Sequence, residues 1–275
     1  MIKYINKKFK KLIKIADFAF GIREKHDLLL KMYLETLSSN SPNPLNKNFS
    51  NVFSQLDEDG IISKIIFRIK NTLPVEPTFL EIGVGNGTEN NTLNLLAKNW
   101  NGLWIGNQEL ISDVSKSYKL KYLKQWVTQE NILSVIDNSQ FNNFDLISLD
   151  IDGNDYYIWD KLLSKYNPKI IVAEYNGKFD ATTEWVMNYE AGNEWNQDWY
   201  FGASFLSFTN LFLKYNYRVV ACSLNGNNMF LVKSSFIEEF SDIPSDMNLI
   251  YQPALHMLLK SKRKVGERLF RHLIS

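Results

Sequence analysis

Short apolar runs alternate with amphipathic stretches along most of this chain. Residues 79–82, 102–106, 126–128, 144–149 and 169–174 each read as a buried strand, apolar almost throughout and bounded by glycine or polar residues. Residues 90–99 and 112–123 carry helical spacing between them. Ahead of them Ile61, Ile62, Ile65, Ile66 and Ile69 make an amphipathic helix that follows the acidic turn Asp57-Glu58-Asp59-Gly60. Strands separated by helices predict a largely parallel sheet in an α/β fold. A helix opening at residues 201–204 and running through Leu213 precedes two final runs, 217–222 and 228–232. These flank Asn225-Gly226 and predict a closing antiparallel hairpin.

The ends have a different pattern. Ile2, Ile5, Phe9, Leu12 and Ile13 share one helical face with lysines around the other, and the apolar run 15–22 contains Asp17 and is too short for a membrane span. A polar, proline-bearing break at residues 38–44 follows. After Lys233 the chain reads as a basic helical tail with Lys260, Lys262, Arg263, Lys264, Arg268 and Arg271. The expected organisation is a basic helical extension and linker over 1–48, a core domain over 49–235 and the tail over 236–275. Basic amphipathic ends suit a homo-oligomer interface or peripheral contact with an anionic inner membrane surface.

The first strand of the core closes on Glu81-Ile82-Gly83-Val84-Gly85-Asn86-Gly87-Thr88. Glycines at alternate positions allow positive φ and close approach of a ligand, and a helix opening near Thr88 would offer free N–H groups. A dinucleotide turn wants its third glycine where Thr88 stands, which disfavours a nicotinamide cofactor. A ribose-bearing cofactor usually meets a carboxylate about 20 residues beyond such glycines. Here the second strand ends in Asn107-Gln108-Glu109, so either Glu109 or Asn107 is the candidate. Glu130 and Asn131, after the third strand, are candidates for an adenine region.

The fourth strand runs into Asp150-Ile151-Asp152-Gly153-Asn154-Asp155 and the fifth into Glu174-Tyr175-Asn176-Gly177-Lys178. Parallel strands bring these ends to one crevice, so Asp150, Asp152, Glu174 and Asn176 form a candidate metal site. An all-oxygen set favours magnesium, manganese or calcium over zinc. The histidines His26, His256 and His272 all fall outside the expected core. Deprotonation of a hydroxyl therefore falls to a metal site, to a carboxylate or to Lys178. Residues 179–200 hold Trp185, Tyr189, Trp195 and Trp199 among amides and acids, a composition suited to a lid over a polyhydroxylated acceptor.

With 31 basic and 30 acidic side chains in 275 residues, the chain lacks the broad positive surface of a nucleic-acid binder. Its lone cysteine, Cys222, sits in a strand pattern, excludes an intramolecular disulfide or thiolate zinc cluster, and suits a reducing cytoplasm.

Ser54-Gln55 with Asp57-Glu58-Asp59-Gly60, Glu81 with its glycines, the run from Leu149 to Asp155, Glu174-Tyr175-Asn176 and Phe201-Gly202-Ala203-Ser204 together resemble FkbM-like methyltransferases that use S-adenosylmethionine (SAM). The resemblance implies a Rossmann-like, seven-stranded class I methyltransferase sheet, mostly parallel with an antiparallel last strand. It further implies O-methylation of a sugar or surface polysaccharide. Glu81 would orient the amino-acid end of SAM, with Gly83, Gly85 and Gly87 beneath it. In metal-dependent relatives of that kind a magnesium or manganese ion would be held by counterparts of Asp150, Glu174 and Asn176, with Asp152 the alternative third ligand because Tyr175 intervenes in Glu174-Tyr175-Asn176.

Overall fold

The computed structural model describes residues 21–47, 49–111 and 117–255. The chain divides into two compact units, residues 1–40 and 41–275. In the first, the described element is helix α1 (Ile22–Asn40). It runs through Ser38, Ser39 and Asn40, which the sequence pattern assigns to a linker. The lysine-rich residues 1–20 and most of the basic tail, 256–275, lie outside the described residues. No helix among the described residues is long and apolar enough to cross a membrane.

The second unit is a seven-stranded sheet with helices on both faces. In chain order its elements are α2 (Glu58–Ile69), β1 (Thr78–Ile82), α3 (Leu93–Ala97), β2 (Asn101–Gly106), β3 (Leu120–Lys124), α4 (Ile132–Asp137) and β4 (Leu146–Leu149). There follow α5 (Asp155–Leu163), β5 (Ile170–Glu174), α6 (Phe205–Lys214), β6 (Tyr217–Cys222), β7 (Asn228–Lys233) and α7 (Met247–Ile250). The strand order is β3-β2-β1-β4-β5-β7-β6, parallel except where β7 pairs antiparallel with β5 and β6. This is the Rossmann-like class I methyltransferase arrangement that the sequence resemblance implies.

Period-two alternation explains the layers. Leu80 and Ile82 of β1 join Leu103, Ile105, Ile147 and Leu149 under α5 and α6, where Trp159 and Phe212 meet edge to face at 5.2 Å. Phe79 faces the other way, with Trp104, Leu146 and Val172, against the isoleucines of α2. Cys222 is fully buried, and burial pushes its thiol up to about 12, so it is inert at neutral pH.

Three elements differ from their sequence expectation. The third strand is Leu120–Lys124, overlapping the end of the helix expected over 112–123, whose first part, 112–116, lies outside the described residues; residues 126–128 are irregular. As a sheet-edge strand, β3 buries only Leu120 fully, so Leu120, Leu123 and the solvated lysines mimic a helical face. Second, α3 begins at Leu93, not near Thr88. Third, the tail opens as a 3-10 turn over Ser234–Phe240, then α7, then an extended segment to Leu255, whose N–H donates to Asn225 O at 2.8 Å.

The acidic residues that open α2, from its N-cap Asp57 through Glu58 and Asp59, are interior rather than solvated. Asp59 Oδ2 accepts the N–H groups of Val52, Phe53 and Ser54 at 2.8–2.9 Å, an anion nest closed by the chain's own carboxylate. Asp57 accepts from Leu224 N at 3.1 Å, and Glu58 from Leu56 N at 2.7 Å. Burial, and for Asp57 its neighbour Glu58, pushes both carboxyls above their usual range. The turn thereby ties the start of the core to the β6–β7 hairpin. Asn43 and Asn46, expected in the linker, also join this edge, donating to Val220 O and Cys222 O at 2.7 Å.

The glycine turn is set by a close approach. Gly83 has φ +90°, and a Cβ there would lie 1.5 Å from Asp150 O. Gly85 also has positive φ, +54°, but a Cβ there would meet nothing within 4 Å. Gly83→Ala is therefore expected to prevent folding or to lower the melting temperature far more than Gly85→Ala. The latter should cost about 1 kcal/mol of left-handed backbone strain, or roughly 2–4 °C. Thermal denaturation of the two variants checks this.

Candidate functional site

The carboxyl ends of β1, β2 and β4 open onto a cleft of about 480 Å³, within the usual range for small-molecule sites. Gly83 and Gly85 form its floor, Asn107 and Gln108 one wall, Asp150 to Asn154 another, and Asn193, Glu194 and Trp195 its far side. Two backbone bonds fix the floor: Gly83 N donates to Ile105 O at 2.9 Å, and Asp150 N to Ile82 O at 3.1 Å.

Glu81 does not line this cleft. It is 5% exposed and accepts Asn91 N at 2.8 Å, Thr92 N at 3.1 Å and the Thr92 hydroxyl, which in turn accepts Trp104 Nε1. The N–H groups just ahead of α3 are thus taken by the chain's own carboxylate. Burial raises the Glu81 carboxyl above its usual range, against the lowering effect of these bonds. Gly87, φ +81°, closes the turn by donating to Val84 O at 2.9 Å and is absent from the cleft lining.

At the end of β2 the two candidates separate. Asn107 lines the cleft, whereas Glu109 is paired with Lys124 on the surface. After β3, Gln125, Trp126 and Val127 reach the cleft. Glu130 and Asn131 do not: Tyr189 donates to Glu130 Oε2 at 2.6 Å, holding its carboxyl below the usual range. Asn131 folds the turn, accepting Thr128 N at 2.8 Å and donating to Trp126 O at 2.9 Å.

Asp150, Asp152 and Glu174 converge. One carboxylate oxygen from each lies within 4.8 Å of the others, with Glu174 buried and the two aspartates half-buried. Asp152 sits at φ +51°, a conformation uncommon outside glycine. Asp155 holds it there by accepting the N–H groups on either side, Ile151 N and Gly153 N, both at 2.9 Å. Burial, with a contribution from Asp152, pushes Asp155 up to about 6. Of the acids in this run, Asp155 is framework while Asp150 and Asp152 reach the cleft. Three hard oxygen donors at this spacing fit magnesium, manganese or calcium.

Asn176 is spent elsewhere. Its amide donates to Trp199 O at 2.8 Å and Phe201 O at 3.1 Å, and its oxygen accepts Lys178 N at 3.2 Å. It anchors the 179–203 insertion to the end of β5. Lys178 is exposed, with its ammonium 5.6 Å from the Trp199 ring centre, and is not among the cleft-lining residues.

The insertion has its own apolar centre of Trp185, Met187, Trp199, Tyr200 and Phe201. Asn154 clamps it to the acid loop through both backbone groups of Glu190, at 2.7 and 3.2 Å, and Trp126 Nε1 donates to Ala191 O at 2.9 Å. Its tip reaches the cleft with Asn193, Glu194 and Trp195. Gln108, Gln125 and Trp126 are lining residues that the sequence reading did not single out. A correct placement of β3 would have pointed to Gln125, the first residue beyond its end.

No protein-family model matches the chain, and no curated protein matches it. Solved structures do superpose on it at low similarity. A candidate hemolysin of Lactococcus lactis is 15% identical with TM-score 0.39, covering 62% of this chain and 85% of its own. An O-methyltransferase family protein of Burkholderia thailandensis is 10% identical with TM-score 0.38, covering 64% of this chain and 57% of its own. CalO1, a methyltransferase in calicheamicin biosynthesis, is 13% identical with TM-score 0.35, covering 63% and 54%. The chain thus spans little more than half the length of these two methyltransferases. Superpositions this loose carry no argument about activity; the fold assignment rests on strand order and direction.

Manganese titration followed by electron paramagnetic resonance is expected to show one ion bound by the intact chain. Asp150→Asn and Glu174→Gln should each weaken it at least tenfold, while Asn176→Asp should not strengthen it.

Proposed function

We propose that this chain is a SAM-dependent O-methyltransferase assisted by a divalent cation, acting on a hydroxyl of a sugar or polysaccharide. One juxtaposition carries the reading: a cleft floored by Gly83 and Gly85 opens directly beside Asp150, Asp152 and Glu174. Gly85 supports the fit of a cofactor, because a Cβ there would project into open space. The resemblance to FkbM-like methyltransferases supports the acceptor class.

When bound, SAM supplies an electrophilic methyl group and the cation supplies Lewis acidity toward a hydroxyl. The chain's part is position and charge. Asp150, Asp152 and Glu174 would hold the cation, and Asp155 keeps Asp152 aimed at it. Asn107, Gln108 and Gln125 present amides to the polar parts of a nucleoside. Trp195 and Trp126 enclose the mouth and exclude water, so that methyl transfer requires chiefly alignment. The 179–203 insertion reaches both the cleft and the end of β5, which suits it to hold the acceptor.

A second reading is favoured by the amides at the end of β2. They can donate to phosphate where a carboxylate would repel it, which suits a metal-dependent enzyme acting on nucleotide sugars. Calorimetric titration separates the two. S-adenosylhomocysteine should bind in the micromolar range and Gly85→Val should weaken it at least tenfold. Binding of a uridine or guanosine diphosphate sugar with no response to S-adenosylhomocysteine would replace the first reading with the second.

A further inference from the structure

Helix α1 exposes four large apolar side chains. Leu28, Leu29, Met32 and Tyr33 are 58%, 66%, 54% and 44% exposed. Positions i, i+1, i+4 and i+5 lie on one side of a helix, so the four form a stripe, with exposed Lys25 one turn before it. Contiguous exposed apolar surface of this kind marks an interaction site.

The charge of the chain indicates what covers it. Residues 1–20, which lead into this helix, hold six lysines and one aspartate. Residues 256–275 hold six basic side chains and one acidic. The 235 residues between them hold 19 basic and 28 acidic side chains. A near-neutral total therefore conceals two cationic ends and an anionic body.

We propose that the α1 stripe docks on an anionic lipid surface. Leu28, Leu29 and Met32 would enter the headgroup boundary, Tyr33 would lie at its wet edge, and Lys25 would extend its charge toward phosphate. A second copy of the chain fits this face less well. A two-fold contact would bring two cationic segments together, and four partly exposed side chains fall short of the ~800 Å² per partner of a standard interface. The inference is independent of the reaction assigned to the cleft.

The test is flotation of the full-length protein with vesicles of phosphatidylcholine alone or of phosphatidylcholine and phosphatidylglycerol at 3:1. The protein should float with the anionic vesicles, not with the neutral ones, and detach in high salt. The double variant Leu29→Asp with Met32→Asp, both exposed positions, should keep the wild-type melting temperature and lose at least tenfold in vesicle-bound fraction. Absence of flotation, equal binding to both vesicle types, or flotation unchanged by the double variant would overturn the proposal. So would a dimer in solution that the double variant dissociates, since that would assign the stripe to a second copy.

Discussion

The close passage of Gly83 beneath the Asp150 carbonyl is the constraint on which the rest of the site depends. β1 and β4 are hydrogen-bonded neighbours, and the chain must leave β1 by turning across the end of β4. Only a residue without a side chain passes there, since a Cβ would fall 1.5 Å from that carbonyl oxygen. The same contact brings the open floor at Gly85 next to the first acid of the cluster. The cleft and the acidic cluster beside it are thus two sides of one crossing.

Around that crossing, the polar residues divide by the work their lone pairs already do. Glu81 closes the approach to α3, Asp155 clamps the loop that carries Asp152, Asn154 and Asn176 fasten the insertion, Asp59 gathers residues 52–54, and Asp57 and Glu58 bind the start of the core to the β6–β7 hairpin. Burial raises the carboxyls of Asp57, Glu58, Glu81 and Asp155 above their usual range, against the lowering effect of the N–H groups that each accepts in stiffening its loop. Asp150, Asp152 and Glu174 are the acids that this framework turns toward one point.

The sheet was legible in the sequence wherever strands are buried on both faces. β1, β2, β4 and β5 are short, largely apolar runs, and Asn225-Gly226 announces the hairpin. β3 was misplaced because an edge strand is only half-buried and its lysines imitate helical spacing. The convergence of Asp150, Asp152 and Glu174 was legible from strand-end position, and the bonds that occupy Asn176 were not. Those bonds reach residues 23 and 25 positions away, which no local pattern encodes. Glu81 shows the same limit, since its place in the signature is plain but its partners are fixed by where α3 begins.

The most direct test of the central claim is an anomalous-scattering map from crystals grown with manganese and S-adenosylhomocysteine. The account predicts one manganese peak among the carboxylates of Asp150, Asp152 and Glu174, with the ligand crossing Gly85 toward Asn107 and Trp126. A manganese site elsewhere, or a ligand that leaves the Gly83–Gly85 floor bare, would contradict it.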